Sequence, residues 1–235
     1  DQLTYPWGRV MGITIVPLRK PHPDIEKWVK VMKGELAPER PPMVEYKVND
    51  AVMKPILTEM MGLKWISTSD KTEYEGGRKG LSKESMQAKR HWLDNQIAFW
   101  YHMGYDFMRF EVSLLLPASR RMAKDTSQQA EGANRGWAET GIGPIRDWKT
   151  YQEYPWPTIK DSDFFSHEHI TSHLPDGLGF VTCHSGGVFE HLCRLLGHEG
   201  MAYILYDDPE LFRTVAGRLG KLIEEYHRRL LELPN

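Results

Sequence analysis

The chain has 235 residues, and its 30 basic and 32 acidic side chains give a formal net charge of -2. Because these charges are mixed along the chain, the composition argues against nucleic acid and against an anionic membrane surface as partners. Two cysteines are too few for a disulfide scaffold, and no apolar run approaches the roughly 20 residues that cross a bilayer, so we expect a soluble protein of the reducing cytoplasm.

The first third of the chain predicts two helices and one short strand. One helical face, with the spacing i, i+3, i+4 and i+7, is formed by Ile25, Trp28, Val29 and Met32. Residues 43–48 are apolar enough for a short strand. Asp50 opens a second helix, which Gly62 ends.

The middle of the chain predicts a loop, a long helix and a strand. Residues 66–80 are polar and contain glycine, which indicates a loop. SKESMQAKRHWLDNQIAFWYHMG has apolar residues at helical spacing up to Gly104. FMRFEV alternates in the manner of a strand, and Pro117 closes this segment. Residues 118–134 are again predicted as loop, and GWAETGIGPI as a further short strand.

The last third contains the clearest pattern. DWKTYQEYPWPTIKDSDF is predicted as an extended, proline-punctuated segment that leads to a helix over 161–173. Residues 178–182 form a strand, and the helix after it has an apolar face of Phe189, Leu192, Cys193 and Leu196. Asp208 is a natural N-cap with proline at the first position of a helix of about five turns. Alternating strands and helices predict a single α/β domain over residues 1–235 with parallel strands.

The strand-to-helix junction CHSGG is the first candidate site. If the strand is parallel, Cys183, His184 and Ser185 lie at its carboxyl end, where α/β barrels place their active sites. Ser185 can cap the helix, and the two glycines let backbone amides approach a carboxylate or phosphate. His184 is a candidate general acid or base because its reference pKa is near 6.5. Glu190 follows in the first two helical turns, and the alternative for the whole junction is a simple turn.

Arg109 and Glu111 on the strand FMRFEV are the second candidate site. Alternate strand positions share a face, so the two opposite charges lie side by side. An ion pair inside a barrel is costly unless it is satisfied, and such pairs mark polar layers or sites. On an outward face, both residues are ordinary solvated side chains.

The histidine-rich stretch SHEHITSH is a weaker signal. His169 and His173 at i, i+4 can share a metal on a helix, but the H-E-x-x-H order and a third ligand are missing. A solvated helix face is favoured, and Cys183 and Cys193 are interpreted as buried, inert thiols. We therefore assign no metal ligand from the sequence.

Three stretches, in this order, resemble the uroporphyrinogen decarboxylase superfamily. RPPMVEYKVNDAVMKPILTEMMG is similar to its first barrel strand and helix, YPWPTIKDSDF to its "WPd" segment, and GFVTCHSGGVFEHLCRLLGHEGMAYILYDDPELFRTVAGRL to the strand, helix and "ddPel" run that follows. The resemblance covers most of residues 40–230. It implies a (β/α)8 TIM barrel with its site at the carboxyl ends of the strands.

The family includes a cofactor-free decarboxylase of the haem pathway and cobamide-dependent methyltransferases. The decarboxylase has an arginine-rich "RQAGRY" motif where this chain reads VEYKVND, with Lys47 as the cation, and this departure favours the methyltransferase branch. By the same resemblance the decarboxylase's strand-end aspartate falls near Glu111, and its substrate-contacting tyrosine near Phe189 or Glu190. This chain therefore has neither the aspartate nor the tyrosine at those positions.

The methyltransferases bind zinc through a His-x-Cys and a later Cys in the second half of the barrel. This chain ends at Asn235 with about four strand candidates where the barrel needs eight, so we expect an N-terminal portion of a longer barrel. No cofactor is identifiable from the residues, and the resemblance implies a cobamide and zinc.

The resemblance leads to three functional hypotheses. The first is a cobamide-dependent methyltransferase with Glu111 and His184 as catalytic residues and with Tyr46, Lys47, Arg109, Ser185 and Glu190 as substrate-binding residues. The second is uroporphyrinogen decarboxylation in porphyrin biosynthesis, with Glu111 orienting the pyrrole. The third is a non-catalytic barrel that binds a tetrapyrrole or a corrinoid protein. The expected partners are a small-molecule or tetrapyrrole substrate and a corrinoid protein, without nucleic acid or membrane.

Overall fold

The protein is described by a computed structural model that covers most of the chain. The described residues are 16–39, 41–66, 83–112, 114–118, 120–124, 134–138 and 141–233. They divide into two compact units. The first unit comprises Asp1–Trp65, Asn95–Met108 and Leu174–Gly179. The second comprises Ile66–Asp94, Arg109–His173 and Phe180–Asn235. The single domain over 1–235 stays a prediction.

Helices dominate the described residues, and the strands are short. The helices are α1 Ile25–Met32, α2 Asp50–Pro55, α3 Lys83–His102, α4 Trp148–Glu153, α5 Phe165–His173, α6 Val188–Leu196, α7 His198–Asp207 and α8 Pro209–Leu231. The strands are β1 Phe107–Val112, β2 Arg120–Lys124, β3 Asn134–Ala138 and β4 Gly179–His184. A π-helical turn, Ile56–Met60, follows α2, and a 3-10 turn, Asp161–Phe164, precedes α5.

Helix α1 confirms the first predicted helix and is anchored within the first unit. The Asp24 carboxylate accepts a hydrogen bond from the Lys27 backbone N–H at 2.9 Å, which caps the helix. The Asp24 backbone N–H in turn donates to a carboxylate oxygen of Asp106 at 3.0 Å. The Trp28 ring packs edge-on against Phe107, with centroids 4.8 Å apart.

The predicted strand over 43–48 is wrong, because residues 41–49 are irregular. A strand needs a paired neighbour to satisfy its backbone groups, and here the apolar side chains of Val44 and Tyr46 are about 60% exposed. Helix α2 begins where predicted, with Asn49 as its N-cap. Pro55 lacks the N–H that would continue the helix, and the chain passes into the π-helical turn before Gly62 ends it at φ +71°.

The core of the second unit is formed mainly by α6, α7 and α8. Its fully buried side chains include Leu195, Leu196, Val215 and Leu219. The chain at 141–145 closes over the end of α6, because the backbone N–H groups of Gly143 and Ile145 donate to the carbonyls of Leu196 and Leu195 at 2.7 and 3.0 Å. These bonds satisfy carbonyls that a helix end leaves without partners.

Helix α8 confirms the longest predicted helix. The Asp208 carboxylate accepts from the Leu211 backbone N–H at 3.0 Å, and Pro209 occupies the first helical position. Leu211, Val215, Leu219 and Tyr226 are its buried side chains. Val215, Leu219 and Tyr226 belong to the apolar face that the spacing predicts, whereas Leu211 is buried without having been part of it and Phe212 of that face is only partly buried.

Three expectations for the second unit are corrected. Part of the predicted loop 118–134 forms β2, which pairs with β3 in an antiparallel hairpin held by backbone hydrogen bonds that need no apolar alternation. Part of the proline-punctuated segment forms α4, which begins with a reciprocal cap between Asp147 and Thr150. Phe189 lies in the first turn of α6 and is 62% exposed, although Leu192, Cys193 and Leu196 are buried as predicted. The loop over 66–80 lies outside the described residues except for Ile66.

Strands β1 and β4 pair in parallel. The Gly179 backbone N–H donates to the Asp106 carbonyl at 2.9 Å, and the Ser185 N–H to the Val112 carbonyl at 3.0 Å, which keeps one register along both strands. Within the described residues the strands form two sheets of two strands each, so the closed (β/α)8 barrel stays a prediction. No helix in the described part of the chain is both long and apolar enough to cross a membrane.

Candidate functional site

Strands β1 and β4 carry different chemistry on their two faces. One face packs against helices. Phe110 and Phe180 contact His167 of α5, and His184 contacts Tyr226 of α8, with ring centroids 5.3 to 5.9 Å apart. The other face carries Arg109, Glu111 and Cys183. We call this second face the Arg-Glu-Cys face and treat it as the candidate site.

On the Arg-Glu-Cys face, one carboxylate accepts two hydrogen bonds. Arg109 Nη2 donates to Glu111 Oε1, and the Cys183 thiol donates to the same oxygen at 3.5 Å. Arg109 Nη2 also lies 3.9 Å from Cys183 Sγ. The side chains of Arg109 and Glu111 are 19% and 14% exposed, so the pair is largely removed from water while remaining reachable. The predicted neighbourhood of these two charges is therefore confirmed.

Cys183 belongs to the junction that the sequence singled out, but the interpretation of it as a buried thiol is wrong, because it is only partly buried and lies on this face. Partial burial raises the pKa of its thiol above the ordinary value, with a smaller contribution from the charge of Glu111, while a hydrogen bond from Arg109 acts in the opposite direction. The sulfur is therefore a neutral hydrogen-bond donor at neutral pH and not a thiolate nucleophile. Cys193 is buried, as predicted, and both thiols are free.

His184 is buried, and the backbone occupies both of its ring nitrogens. The Leu114 backbone N–H donates to Nε2 at 2.9 Å, so Nε2 is unprotonated. Nδ1 consequently carries the ring proton and donates to the Gly186 carbonyl at 2.8 Å. Burial lowers the pKa of His184, which keeps the ring neutral. In this arrangement His184 joins the chain after β1 to the turn after β4, and its role as a general acid or base stays a prediction.

The predicted cap at Ser185 is wrong. Helix α6 begins two residues later, with Gly187 as N-cap, because β4 extends through His184 and the Ser185 backbone still pairs with β1. The Glu190 carboxylate fills the helix N-terminus by accepting from the Gly187 N–H at 2.9 Å. The backbone N–H groups of Glu190 itself and of Gly187 lower the pKa of this exposed carboxyl.

Tyr46 and Lys47 lie in the first unit, on the irregular chain before α2. Both side chains are exposed, and the Tyr46 backbone N–H donates to Glu45 Oε1 at 3.1 Å. The structure thus brings Arg109, Glu111 and the β4 junction together in the second unit. The substrate-binding role of Tyr46 and Lys47 stays a prediction.

Two further histidines surround the β4 junction and were missed by the sequence. His191 of α6 is fully buried, with its ring 5.1 Å from that of His184. His227 of α8 accepts the His184 backbone N–H at its Nε2, 3.3 Å away. His191 stands two places after Phe189 in a predicted helix, but helical spacing alone does not distinguish a buried histidine from a solvated one.

The histidines of α5 make other contacts, and the solvated helix face favoured for this stretch is wrong at His167 and His169, which are buried. His169 Nε2 lies 2.7 Å from Asp94 Oδ1, and the His173 ring stacks on His169 with its Nδ1 2.8 Å from the His169 carbonyl. Across the described residues, no three His, Cys, Asp or Glu side chains are placed to hold a metal ion.

Comparisons with known proteins add no relative. No protein-family model, no curated protein and no solved structure matches this chain.

Proposed function

We propose that this chain is part of an enzyme of the uroporphyrinogen decarboxylase superfamily, in the branch of cobamide-dependent methyltransferases. The Arg-Glu-Cys face is its substrate-positioning surface. The observation that supports this proposal is the largely buried Arg109–Glu111 pair on β1, which lies beside Cys183 of the parallel strand β4. In α/β barrels the carboxyl ends of the strands carry the active site.

The charge of the face supports the choice of branch. Glu111 neutralises Arg109, so this pair offers no net positive charge to a substrate with several carboxylates. Lys47, the cation in the segment that resembles the arginine-rich motif, lies on exposed irregular chain. A neutral pair with a thiol donor suits a small, weakly charged substrate better than uroporphyrinogen.

Within this proposal, Glu111 is the residue that touches substrate. Its carboxylate has a fixed orientation because Arg109 and Cys183 both donate to it. His184 holds the two surrounding loops in place. A cobamide, presented by a corrinoid protein, would supply the methyl group.

The described residues do not fit a zinc ion on this face. Cys183 and Glu111 are the nearest pair of ligand types, but the guanidinium of Arg109 lies against both and the thiol keeps its proton. We therefore derive no step through zinc. The two free thiols support a reducing, cytoplasmic location as part of the proposal.

Replacing Glu111 with glutamine tests the role of the carboxylate. The purified protein is incubated with methylcobalamin and a panel of thiol acceptors, and loss of the methylated cobamide is followed by visible absorbance. We expect Glu111→Gln to lower the rate about tenfold or more, because charge-assisted hydrogen bonds contribute more than about 1.4 kcal/mol. The matched control is Glu199→Gln, an exposed carboxylate on α7, which should keep the parental rate.

The same preparation distinguishes the other two hypotheses. Release of carbon dioxide from uroporphyrinogen III, without methyl transfer, would assign the chain to the decarboxylase branch and overturn the proposal. Binding of a tetrapyrrole or a corrinoid protein without any turnover would assign a non-catalytic role. If Glu111→Gln and the parent transfer methyl groups at equal rates, the Arg-Glu-Cys face takes no part in the reaction.

A further inference from the structure

Three histidine rings lie together where β4 ends, behind the turn that leads to α6. They belong to three different elements: His184 to β4, His191 to α6 and His227 to α8. The His184 ring centroid is 5.1 Å from that of His191 and 6.3 Å from that of His227. We call these three side chains the imidazole cluster.

Two rings of the imidazole cluster accept hydrogen bonds from backbone N–H groups. His184 Nε2 accepts from Leu114, and His227 Nε2 accepts from His184 itself. The other nitrogen of each ring donates to a carbonyl, at Gly186 and at Ile223 respectively. A backbone N–H can only donate, so both rings must be neutral for these bonds to exist. A proton added at Nε2 would place two donors against each other.

The third ring makes protonation of its neighbour harder. His191 is fully buried, and within the described residues neither of its nitrogens makes a hydrogen bond of ordinary geometry. Its Nε2 lies 3.3 Å from the position of a β-carbon on Gly186, so the ring supports the glycine turn from behind. A charge on His191 would be desolvated and would repel a charge on His184.

We propose that the imidazole cluster is an acid-sensitive latch that holds the chain after β1 against the turn after β4. With neutral rings, His184 joins Leu114 to Gly186, and His227 fixes the end of β4 to α8. Protonation of His184 removes an acceptor and releases the Leu114 amide, and the chain around Leu114 separates from the turn.

The groups around the imidazole cluster have opposing effects on the pKa values of its rings, and burial has the largest effect. The groups that face it are Glu111 of β1, Glu190 and Arg194 of α6, and Tyr226 of α8. The two carboxylates favour protonated rings, whereas Arg194 and the neighbouring imidazoles oppose them. Burial is the largest influence, and it lowers the pKa of His191 to about 4 and that of His184 below its ordinary value. The latch is therefore closed at neutral pH and opens in acid.

Amide hydrogen exchange at single residues tests the latch in the whole protein. Protection factors, corrected for intrinsic exchange, are measured from about pH 7 to about pH 4.5, across the range in which buried imidazoles take up protons. We expect the amides of Leu114 and His184 to lose about tenfold or more of their protection at the acid end. The amides of Val215 and Leu219 in α8 report global unfolding, so the amides of Leu114 and His184 should exchange faster than these two at the acid end.

A glutamine at position 184 separates protonation from other effects of acid. The amide oxygen of His184→Gln can accept from Leu114 and does not titrate, so the Leu114 amide should stay protected at both pH values. His198→Gln, an exposed histidine on α7, is the matched control and should keep the parental pH dependence. In the parent, nitrogen chemical shifts of the His184 ring should show an unprotonated Nε2 at neutral pH.

Three results would overturn the latch. The first is Leu114 protection that does not change down to about pH 4.5. The second is a loss of protection at Leu114 that runs in parallel with that of α8, since this would be global unfolding. The third is a protonated His184 Nε2 at neutral pH.

Discussion

Alanine at position 197 is expected to lower the free energy of unfolding by about 4 kcal/mol or more, because two separate backbone penalties combine there. Gly197 joins α6 to α7 with φ +74°, a conformation that residues with a β-carbon rarely adopt. A β-carbon at this position would lie 1.9 Å from the Gly141 carbonyl oxygen, a backbone atom that no side-chain rotation can move away. The junction must distort, and the chain at 141–145 must leave the end of α6.

A second glycine provides the matched control for this experiment. Gly217 lies inside α8, and a β-carbon there meets no atom within 4 Å. Gly217→Ala should raise the free energy of unfolding by about 0.5–1 kcal/mol, because alanine has the higher helix propensity. Urea unfolding followed by circular dichroism measures both variants against the parent. A Gly197→Ala protein within 1 kcal/mol of the parent would show that the α6–α7 junction is not as tight as described.

Acid is expected to destabilise the protein by about 3 kcal/mol for each of two buried histidines, His167 and His191. Burial lowers the pKa of both from 6.5 to about 4. Above pH 6.5 both rings are neutral in the folded and the unfolded chain, and stability is unaffected. As the pH falls below 6.5, the unfolded chain binds protons that the folded chain does not, so stability decreases until about pH 4, where the folded chain also takes them up.

His167 is the better of the two histidines for a test, because its surroundings accept a phenylalanine. Its ring lies among the aromatic rings of Phe110, Phe164 and Phe180, and its Nε2 lies 2.9 Å from the Thr182 hydroxyl. His167→Phe keeps aromatic packing and removes the titration. Urea unfolding at a series of pH values should show a loss between pH 7 and pH 4 that is smaller than in the parent by about 3 kcal/mol.

The control for the acid experiment is His198→Gln, which removes an exposed imidazole. It should reproduce the parental dependence of stability on pH. If His167→Phe retains the full parental loss in acid, the buried ring of His167 does not titrate as described. The dependence of the protein's stability on pH would then have to come from other groups.

Local patterns in the sequence determined most helices and both parallel strands. The i, i+3, i+4 spacing of α1 and α8, and the cap Asp208 with Pro209 behind it, depend only on residues within a turn or two of each other. The alternation in β1 likewise placed Arg109 and Glu111 on one face, because alternate side chains of a strand point the same way. These features were predictable because their causes are local.

Pairing between distant segments had to come from the tertiary structure. The segment 43–48, predicted as a strand, is irregular, whereas β2 and β3, which lack an apolar pattern, pair through their backbones. Phe189 has the spacing of a core residue but lies in the first turn of α6 and is exposed. Which side chains of a helix are buried depends on the elements that pack against it. The spacing of apolar residues within the helix does not specify those elements.

The candidate site also has features that the sequence predicts and features that only the tertiary structure decides. Sequence alone identified the Arg109–Glu111 pair and the junction at His184 as polar groups at strand ends. The β1–β4 register decided that Cys183 donates to Glu111, and packing against α6 and α8 decided that His184 meets His191 and His227. Whether a histidine is a solvated acid–base group or a neutral acceptor for a backbone N–H depends on the atoms that surround its ring, and those atoms come from segments distant in the chain.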